Sequence, residues 1–333
     1  MKLLITGGLG FMGSNFIRHL LKTYPAYQIV NLDKMTYAGN PANLKDAANN
    51  PRYRFIKGDI ANATDVDSAI GEGVDAIINY AAETHVDRSI LNPRAFVETD
   101  VLGTYALLEA VKRHNIARFI QISTDEVYGS IDTGHFNEES CFNPNSPYAA
   151  SKAGGDHLVR AYFHTYQTPV IVTHSSNCYG PYQYPEKFIP LFITNLLENK
   201  TAPLYGDGLN VREWLYVEDH CRAIDHLLHN GQIGESYNIG SGEEKSNIEV
   251  ARLLLSALGQ NESKIEYVKD RLGHDRRYAL DAAKLKVTGW QPQTSFNEAL
   301  NKTIKWYQQN EAWWRPIKSG DFLAYYQKQY VNR

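Results

Sequence analysis

The sequence predicts an α/β protein in which a doubly wound parallel sheet is followed by a smaller, mixed α/β C-terminal domain. First, apolar runs rich in β-branched residues alternate with longer stretches of helical periodicity. Strand, helix and strand repeated in this order imply parallel strands joined by right-handed crossovers. Second, this rhythm ends after about Cys178. Third, the length of 333 residues is enough for about two domains of about 150 residues.

Six strands and three helices are predicted in the first part of the chain. The strands are 3–6, 29–32, 53–57, 76–79, 119–123 and 170–173. The helices are expected near 13–21, 93–114 and 146–166. Beyond Cys178 we expect helices near 188–199, 218–229, 247–258 and 295–307, and a hairpin-like segment at 205–214 that contains Gly206 and Gly208.

Two domains follow from this change of rhythm. We expect residues 1–178, with a return at about 211–240, to form the domain that contains the parallel sheet. Residues of about 179–210 and 241–333 then form the second, smaller domain.

Composition and charge exclude several classes of protein. Lys plus Arg number 34 and Asp plus Glu 37, a formal net charge of −3, so a nucleic-acid or anionic-membrane partner is not expected. Gly7 comes too early for a signal peptide, and no run approaches the roughly 18 apolar residues of a membrane span, so we expect a cytoplasmic protein. Cys141, Cys178 and Cys221 are widely spaced and form no CxxC pair, so free thiols are expected and no metal site is suggested.

A glycine motif, TGGLGFMG at 6–13, directly follows the first predicted strand and opens the first helix. Glycine allows the tight turn there and lets backbone N–H groups approach a pyrophosphate at the helix N-terminus, as in Rossmann-type sheets. Asp33 ends the second strand, where a carboxylate accepts hydrogen bonds from a ribose 2′-hydroxyl and repels a 2′-phosphate. The motif therefore predicts NAD rather than NADP, with Asp59 and Ile60 beside the adenine. The alternative is a strand–helix turn that binds nothing.

A second motif, YAASK at 148–152, begins the predicted helix 146–166. Positions i and i+4 share one helix face, so the Lys152 ammonium can lower the pKa of the Tyr148 phenol. The positive nicotinamide ring would act in the same direction and produce a general base for a sugar or alcohol hydroxyl. A solvated helix face is the alternative for any isolated YxxxK.

With both motifs in this order, the chain resembles the extended short-chain dehydrogenase/reductase family. STDEVYG at 123–129 narrows the resemblance to the nucleotide-sugar 4,6-dehydratases, because it places two adjacent carboxyl groups at the end of a strand. Dehydration needs one group to remove a carbon-bound proton and another to protonate the departing hydroxyl. Further matching segments are AAETHVDRS at 81–89, YGPYQYPEK at 179–187, GDG at 206–208 with NVR at 210–212, and GHDRRY at 273–278.

The resemblance implies a hydro-lyase of deoxysugar (rhamnose) biosynthesis that uses its NAD internally. Tyr148, assisted by Thr124 and Lys152, takes the C4 hydroxyl proton of the sugar as hydride leaves C4 for NAD⁺. Glu126 then removes the C5 proton while protonated Asp125 delivers its proton to the C6 hydroxyl, water leaves, and hydride returns to C6. The first domain would bind NAD and the second the nucleotide sugar.

The implied substrate is dTDP-glucose, and three alternatives stay open. The chain could dehydrate UDP- or CDP-glucose, it could epimerise C4 of a nucleotide sugar, or it could be a non-catalytic NAD-binding regulator. An epimerase would be expected to lack the Asp125–Glu126 pair.

The resemblance also implies which residues touch each ligand. The NAD residues are Gly7, Gly10, Phe11, Met12, Gly13, Asp33, Lys34, Thr36, Asp59, Ile60, Ala81, Ala82, Thr99, Tyr148, Lys152 and Asn177. The nucleotide-sugar residues are Thr84, Thr124, Asn177, Glu186, Lys187, Pro203, Tyr205, Arg212, Asn247, Arg271 and His274. Arg212 and Arg271 suit a diphosphate because guanidinium forms paired, charge-assisted bonds to phosphate oxygens.

The chain departs from the family pattern at His174, where arginine is common, at Cys178, where asparagine is common, and at Glu213, where aspartate is usual. These departures put the substrate preference in doubt. Trp306, Trp313 and Trp314 are interpreted as packing of a terminal helix. In the family, helices corresponding to 93–114 and 146–166 pair with their copies, which implies a homodimer.

Overall fold

Seven parallel strands form the central sheet of the computed structural model, which describes residues 1–331. The strands of the chain are β1 Lys2–Thr6, β2 Gln28–Asp33, β3 Tyr53–Lys57, β4 Ala76–Asn79, β5 Arg118–Thr124, β6 Val170–Ser175, β7 Asn177–Tyr179, β8 Ala202–Tyr205, β9 Val211–Tyr216, β10 Ser236–Ile239, β11 Glu244–Ser246 and β12 Ile265–Val268. The order in the large sheet is β10-β6-β5-β4-β1-β2-β3. The predicted doubly wound parallel sheet is therefore confirmed, and its strand order reverses between β1 and β4, where such folds bind ligands.

The strands are buried because helices cover both faces of the sheet. Leu3 and Ile5 pack into one core while Leu4 packs into the other, as the alternation of side chains along a strand requires. All six predicted strands are present, and their ends agree with the prediction within two residues.

Thirteen α-helices lie within the described residues. They are α1 Phe11–Thr23, α2 Ala63–Ile70, α3 Val86–Leu91, α4 Pro93–Phe96, α5 Thr104–Arg113, α6 Pro147–Tyr166, α7 Phe188–Leu197, α8 Val217–Asn230, α9 Asn247–Ala257, α10 Ala283–Val287, α11 Phe296–Gln309, α12 Glu311–Ile317 and α13 Asp321–Tyr326. A π-helical turn, Val97–Gly103, joins α4 to α5, so the single helix predicted at 93–114 has three parts. A second π-helical turn, Gln327–Val331, continues α13.

The segment 211–240 contributes to two sheets. Strand β10 pairs with β6 in the large sheet, and α8 packs against α1. Strand β9 instead lies between β7 and β11 in a three-stranded sheet.

The hairpin predicted at 205–214 is wrong. Strand β8 pairs in parallel with β12, whereas β9 pairs with β7 and β11. Gly206 and Gly208 do turn the chain, with φ of 56° and 71°, but the strands on either side of the turn enter different sheets.

No helix in the part of the chain that the structure describes is both long and apolar enough to span a membrane. Cys141, Cys178 and Cys221 are all free thiols. Within residues 1–331, no group of three or more His, Cys, Asp or Glu side chains is placed to hold a metal ion.

Candidate active site

The glycine motif forms a tight turn between β1 and α1 at the point where the strand order reverses. Gly7 has φ of +66°, and a Cβ atom there would lie 2.6 Å from the backbone nitrogen of Ala81, at the end of β4. A Cβ on Gly13 would lie 2.5 Å from Gly7 O. Only glycine fits this turn, which leaves the N-terminus of α1 open to a ligand.

A cavity of about 210 Å³ extends from this turn along the carboxyl ends of β1, β2 and β4. Every residue predicted to bind NAD lines it except Asn177, which lines a second cavity instead. Asp33 Oδ2 accepts a hydrogen bond from the N–H of Leu9 (2.9 Å) and Oδ1 one from the N–H of Met35 (2.8 Å). Each oxygen keeps acceptor capacity, so the carboxylate can still receive a ribose hydroxyl. The glycine turn and this carboxylate fit a dinucleotide, and we call this cavity the NAD-side cavity.

The helix α6 places Tyr148 and Lys152 at the junction of the two cavities. Ser146 caps the helix by accepting a hydrogen bond from the N–H of Ala149 at 3.1 Å, and Pro147 occupies its first turn. Tyr148 lines both cavities, while the buried Lys152 Nζ donates to Ile122 O at 2.7 Å.

Burial, then the negative charges of Glu126 and Asp100, raise the pKa of Tyr148 well above its ordinary value, although a hydrogen bond with Thr124 opposes them. In the protein alone the shift is thus upward, so Lys152 does not decide its direction. Burial dominates because desolvation disfavours the charged phenolate.

Thr124, Asp125 and Glu126 lie where β5 ends in a short 3₁₀ turn. Thr124 Oγ1 accepts a hydrogen bond from the N–H of Glu126 and donates to Asp125 Oδ1 at 3.2 Å. Burial, then the charge of Glu126, raises the pKa of Asp125 well above its ordinary value. Burial also raises the pKa of Glu126, but the cations of Arg271 and Arg212 oppose that rise. The two carboxyl groups therefore differ in degree: the pKa of Asp125 is the one raised well above its ordinary value, so Asp125 is the group that keeps its proton more readily.

A second cavity, of about 270 Å³, begins at these groups and extends between the sheet and the C-terminal elements. Arg212, Arg271 and Lys187 line it, and none of the three forms an ion pair with a carboxylate within 4.0 Å among the described residues. Arg212 donates hydrogen bonds to the backbone oxygens of Val211 and Asp275. Buried cations without a carboxylate partner favour an anionic ligand, because burying an unpaired charge is costly.

All the residues predicted to bind the nucleotide sugar line this cavity, which we call the nucleotide-sugar cavity. Several of them already have partners within the protein: for example, Glu186 forms an ion pair with Arg88 at 2.8 Å, and Thr84 Oγ1 accepts a hydrogen bond from Lys187 Nζ at 2.9 Å. Burial, then the charges of Arg271 and Arg212, lowers the pKa of His274 to about 3, so this imidazole is neutral. Asn177 Oδ1 is buried and has no hydrogen-bond partner in the described structure.

Other residues of the cavity walls were not predicted to contact a ligand. Tyr182 and Trp313 line the NAD-side cavity, where Trp313 Nε1 donates to Asn43 Oδ1 at 2.8 Å. Trp314 is buried and packs as expected, but Trp313 does more than pack a terminal helix. Tyr330, close to the end of the described chain, lines the other cavity. The local sequence around these residues does not predict that they lie beside strands more than a hundred positions away.

The profile of the family described as GDP-mannose 4,6 dehydratase matches residues 4–303. The chain belongs to this family.

Proteins of known activity or structure are similar to the chain over nearly its whole length. A dTDP-glucose 4,6-dehydratase of Streptomyces niveus is 49% identical over 96% of this chain and 97% of its own length. The crystal structure of DesIV, a dTDP-glucose 4,6-dehydratase from Streptomyces venezuelae with NAD bound, is 51% identical, covers 96% of this chain and 100% of its own, and superposes with a TM-score of 0.94. A UDP-glucose 4-epimerase of Thermus thermophilus in complex with NAD is 28% identical over 93% of this chain and 100% of its own, with a TM-score of 0.86.

Two departures from the pattern of the dehydratases lie near the site. His174 is buried, with Nε2 3.4 Å from Asp156 Oδ2. Cys178 lines the nucleotide-sugar cavity, and burial raises the pKa of its thiol well above the ordinary value. The third departure, Glu213, is also buried, and its carboxylate accepts hydrogen bonds from the N–H groups of Gly242 and Leu280, so it supports the wall behind Asp125.

Proposed function

We propose that this protein is an NAD-dependent hydro-lyase that converts dTDP-glucose to dTDP-4-keto-6-deoxyglucose. One observation carries the proposal: Asp125 and Glu126 lie side by side at one cavity with Tyr148, where burial raises the pKa of Asp125 well above its ordinary value and nearby cations oppose the rise at Glu126. A C4 oxidation alone requires only a base. Loss of water requires, in addition, an acid and a base that lie side by side.

The NAD-side cavity would hold the cofactor through the glycine turn, Asp33 and the pair formed by Lys34 and Asp59, whose ion-pair distance is 2.6 Å. Bound there, NAD⁺ would supply a reversible hydride acceptor for the oxidation at C4 and the later reduction at C6. Lys152, fixed to Ile122 O, orients the helix turn that carries Tyr148.

Three residues of the chain take part in the proton transfers. Tyr148 accepts the proton of the C4 hydroxyl, and a hydrogen bond links its phenol to Thr124. Glu126, close to Arg271 and Arg212, removes the C5 proton once the C4 ketone has acidified it. Asp125, kept neutral by burial and by Glu126, protonates the C6 hydroxyl, which leaves as water. A proton then returns to C5 as the hydride reaches C6.

The cations Arg212, Arg271 and Lys187 support a diphosphate-linked substrate, since all three line the cavity and none forms an ion pair within 4.0 Å among the described residues. The nucleoside would extend towards Pro203, Tyr205 and Asn247, farther along the same cavity. The names of the relatives favour dTDP over UDP or CDP.

The test is to incubate the purified protein and NAD⁺ with dTDP-glucose deuterated at C4 and to follow the product by NMR and alkaline absorbance. A 4-keto sugar with deuterium on its C6 methyl group is expected. Turnover of only UDP- or CDP-glucose would correct the nucleotide, and inversion at C4 without loss of water would indicate an epimerase. If no nucleotide glucose reacts although NAD binds, the regulator alternative would stand and the proposal would fail.

The proposal extends to a homodimer formed through the helices around 93–114 and 146–166. Val97, Leu102 and Tyr105 are each about half exposed on this side of the molecule, which is unusual for side chains of this kind. A partner covering them would remove that apolar surface from water. Light scattering of the parent protein and of Leu102→Glu tests this: a dimer mass that falls to the monomer mass in the variant is expected, and a monomeric parent would contradict it. The division into an NAD-binding and a nucleotide-sugar-binding domain and a cytoplasmic location belong to the same proposal.

A further inference from the structure

Asp100 is a buried carboxyl group that none of the roles above uses. It lies in the π-helical turn Val97–Gly103 and is 2% exposed. Ser151 Oγ donates a hydrogen bond to Asp100 Oδ2 at 2.7 Å. A Cβ atom on Gly155 would lie 2.6 Å from Asp100 O, so the turn packs directly on the backbone of α6. The carboxyl group is therefore fixed to the helix that carries the proposed base.

The charges around Asp100 link it to that base. Burial raises the pKa of Asp100 to about 7, although the ammonium of Lys152 and the hydrogen bond from Ser151 oppose the rise. In turn, the charge of Asp100 raises the pKa of Tyr148. Two groups that interact in this way titrate as a pair.

The remaining groups that face Asp100 do not replace this link. Glu83, in the loop after β4, is negative and raises the pKa of Asp100 further, while its backbone N–H has the opposite and smaller effect. Glu98, on the same π-helical turn, is largely exposed and paired with Arg94 at 2.6 Å, so solvent and its partner screen its charge. The helix α5 contributes only the Thr104 hydroxyl, which donates to Asp100 O at 2.6 Å.

We propose that Asp100 is a positioning residue whose ionisation opposes the phenolate of Tyr148, and that it thereby sets the pH range of C4 oxidation. This inference rests on the role proposed for Tyr148. When Asp100 is neutral, Tyr148 loses its proton more readily. When Asp100 is ionised, the same proton is held more tightly, so the rise of activity with pH is spread over two linked ionisations.

The first test compares Asp100→Asn with the parent in the pH profile of the C4 oxidation step, measured in single turnovers with dTDP-glucose. The amide keeps the shape and can accept the Ser151 hydrogen bond, but it carries no charge. We expect half-maximal rate at a lower pH, a single-step rise, and a ratio of the rate at pH 6 to that at pH 8.5 at least about twofold above the parent's. Asp219→Asn is the control: its carboxylate is equally buried but binds the backbone N–H groups of Gln293 and Thr294 outside both cavities, so its profile should match the parent's.

A second variant keeps the inference testable if Asp100→Asn does not fold. Ser151→Ala removes a hydrogen bond that favours ionised Asp100, so it should move the profile in the same direction by a smaller amount. Carboxyl ¹³C NMR of aspartate-labelled protein gives a readout without turnover: one aspartate should titrate near neutral pH in the parent and be absent in Asp100→Asn. A folded, active Asp100→Asn whose profile superimposes on the parent's would overturn the inference. A parent without dehydratase activity would instead overturn the proposed function.

Discussion

Replacing Glu126 by glutamine separates the two halves of the proposed reaction. The amide cannot take the C5 proton, and a positioned general base contributes about 10²- to 10⁴-fold to a rate, equivalent to roughly 3–5 kcal/mol in the barrier for loss of water. The C4 oxidation should survive. The charge of Glu126 raises the pKa of Tyr148, so its removal makes that phenol a readier base. Loss of the carboxylate also leaves Arg271 and Arg212 less compensated, so binding of an anionic nucleotide should not weaken.

The assay follows both halves in one sample. Reduced nicotinamide, seen by its absorbance, should form in the Glu126→Gln variant at a rate close to the parent's, while the 4-keto-6-deoxy product appears at least about 100-fold more slowly. Exchange of the C5 hydrogen with D₂O should fall by a similar factor. Glu109→Gln is the matched control, since Glu109 lies on α5 outside both cavities and bonds Lys112 and Tyr162. Product formation at the parent's rate would refute the role of Glu126, and so would an equal loss of C4 oxidation.

Three further predictions concern the cofactor, the substrate and the stability of the fold. Gly7→Ala must place a side chain at φ of +66° and 2.6 Å from Ala81 N, which costs about 1–3 kcal/mol, so calorimetry should show NAD⁺ bound about 10-fold more weakly or worse by a protein that remains folded. Tyr330→Ala removes a wall of the nucleotide-sugar cavity far from Tyr148's chemistry, so KM for dTDP-glucose should rise severalfold while kcat stays within about twofold. Burial raises the pKa of Glu198, but the hydrogen bonds from Lys318 and Lys200 and the charges of these two lysines together lower it by more. The net pKa therefore lies below the ordinary value. The carboxylate therefore stabilises the fold above the unfolded pKa of about 4.3 and loses that effect as the pH falls, so Glu198→Gln should lower Tm at pH 7 and much less at about pH 3.

Local pattern predicted the sheet because each strand carries its own signal. The residues of β1, β2 and β4 are apolar on both faces, and the chain between them has helical periodicity, so parallel pairing follows from the alternation itself. The glycine turn was equally readable, since its spacing is a requirement of backbone geometry.

Pairings set by the tertiary fold were not readable. Strand β8 pairs with β12, some sixty residues away, and β9 with β7 and β11, because each short strand finds its partner only once the large sheet and its helices are assembled. Gly206 and Gly208 marked a turn correctly but carried no information about which strands follow it. Trp313 and Tyr330 reach the cavities for the same reason: the end of the chain packs against walls whose other residues come from much earlier in the sequence.

The spacing of residues in the sequence also predicted which ionisable groups lie close together, but it did not predict the direction in which the pKa of Tyr148 shifts. YxxxK placed Tyr148 and Lys152 on one face of α6, yet the pKa of Tyr148 moves upward because of burial and the charges of Glu126 and Asp100. The protein alone thus holds the phenol protonated, and the extra positive charge that would release its proton has to arrive with what fills the cavities. This arrangement suits a site in which the base should act only when cofactor and sugar are both in place. A phenol that ionised early would bring a third negative charge beside Glu126 and Asp100, where Asp125 must keep its own proton.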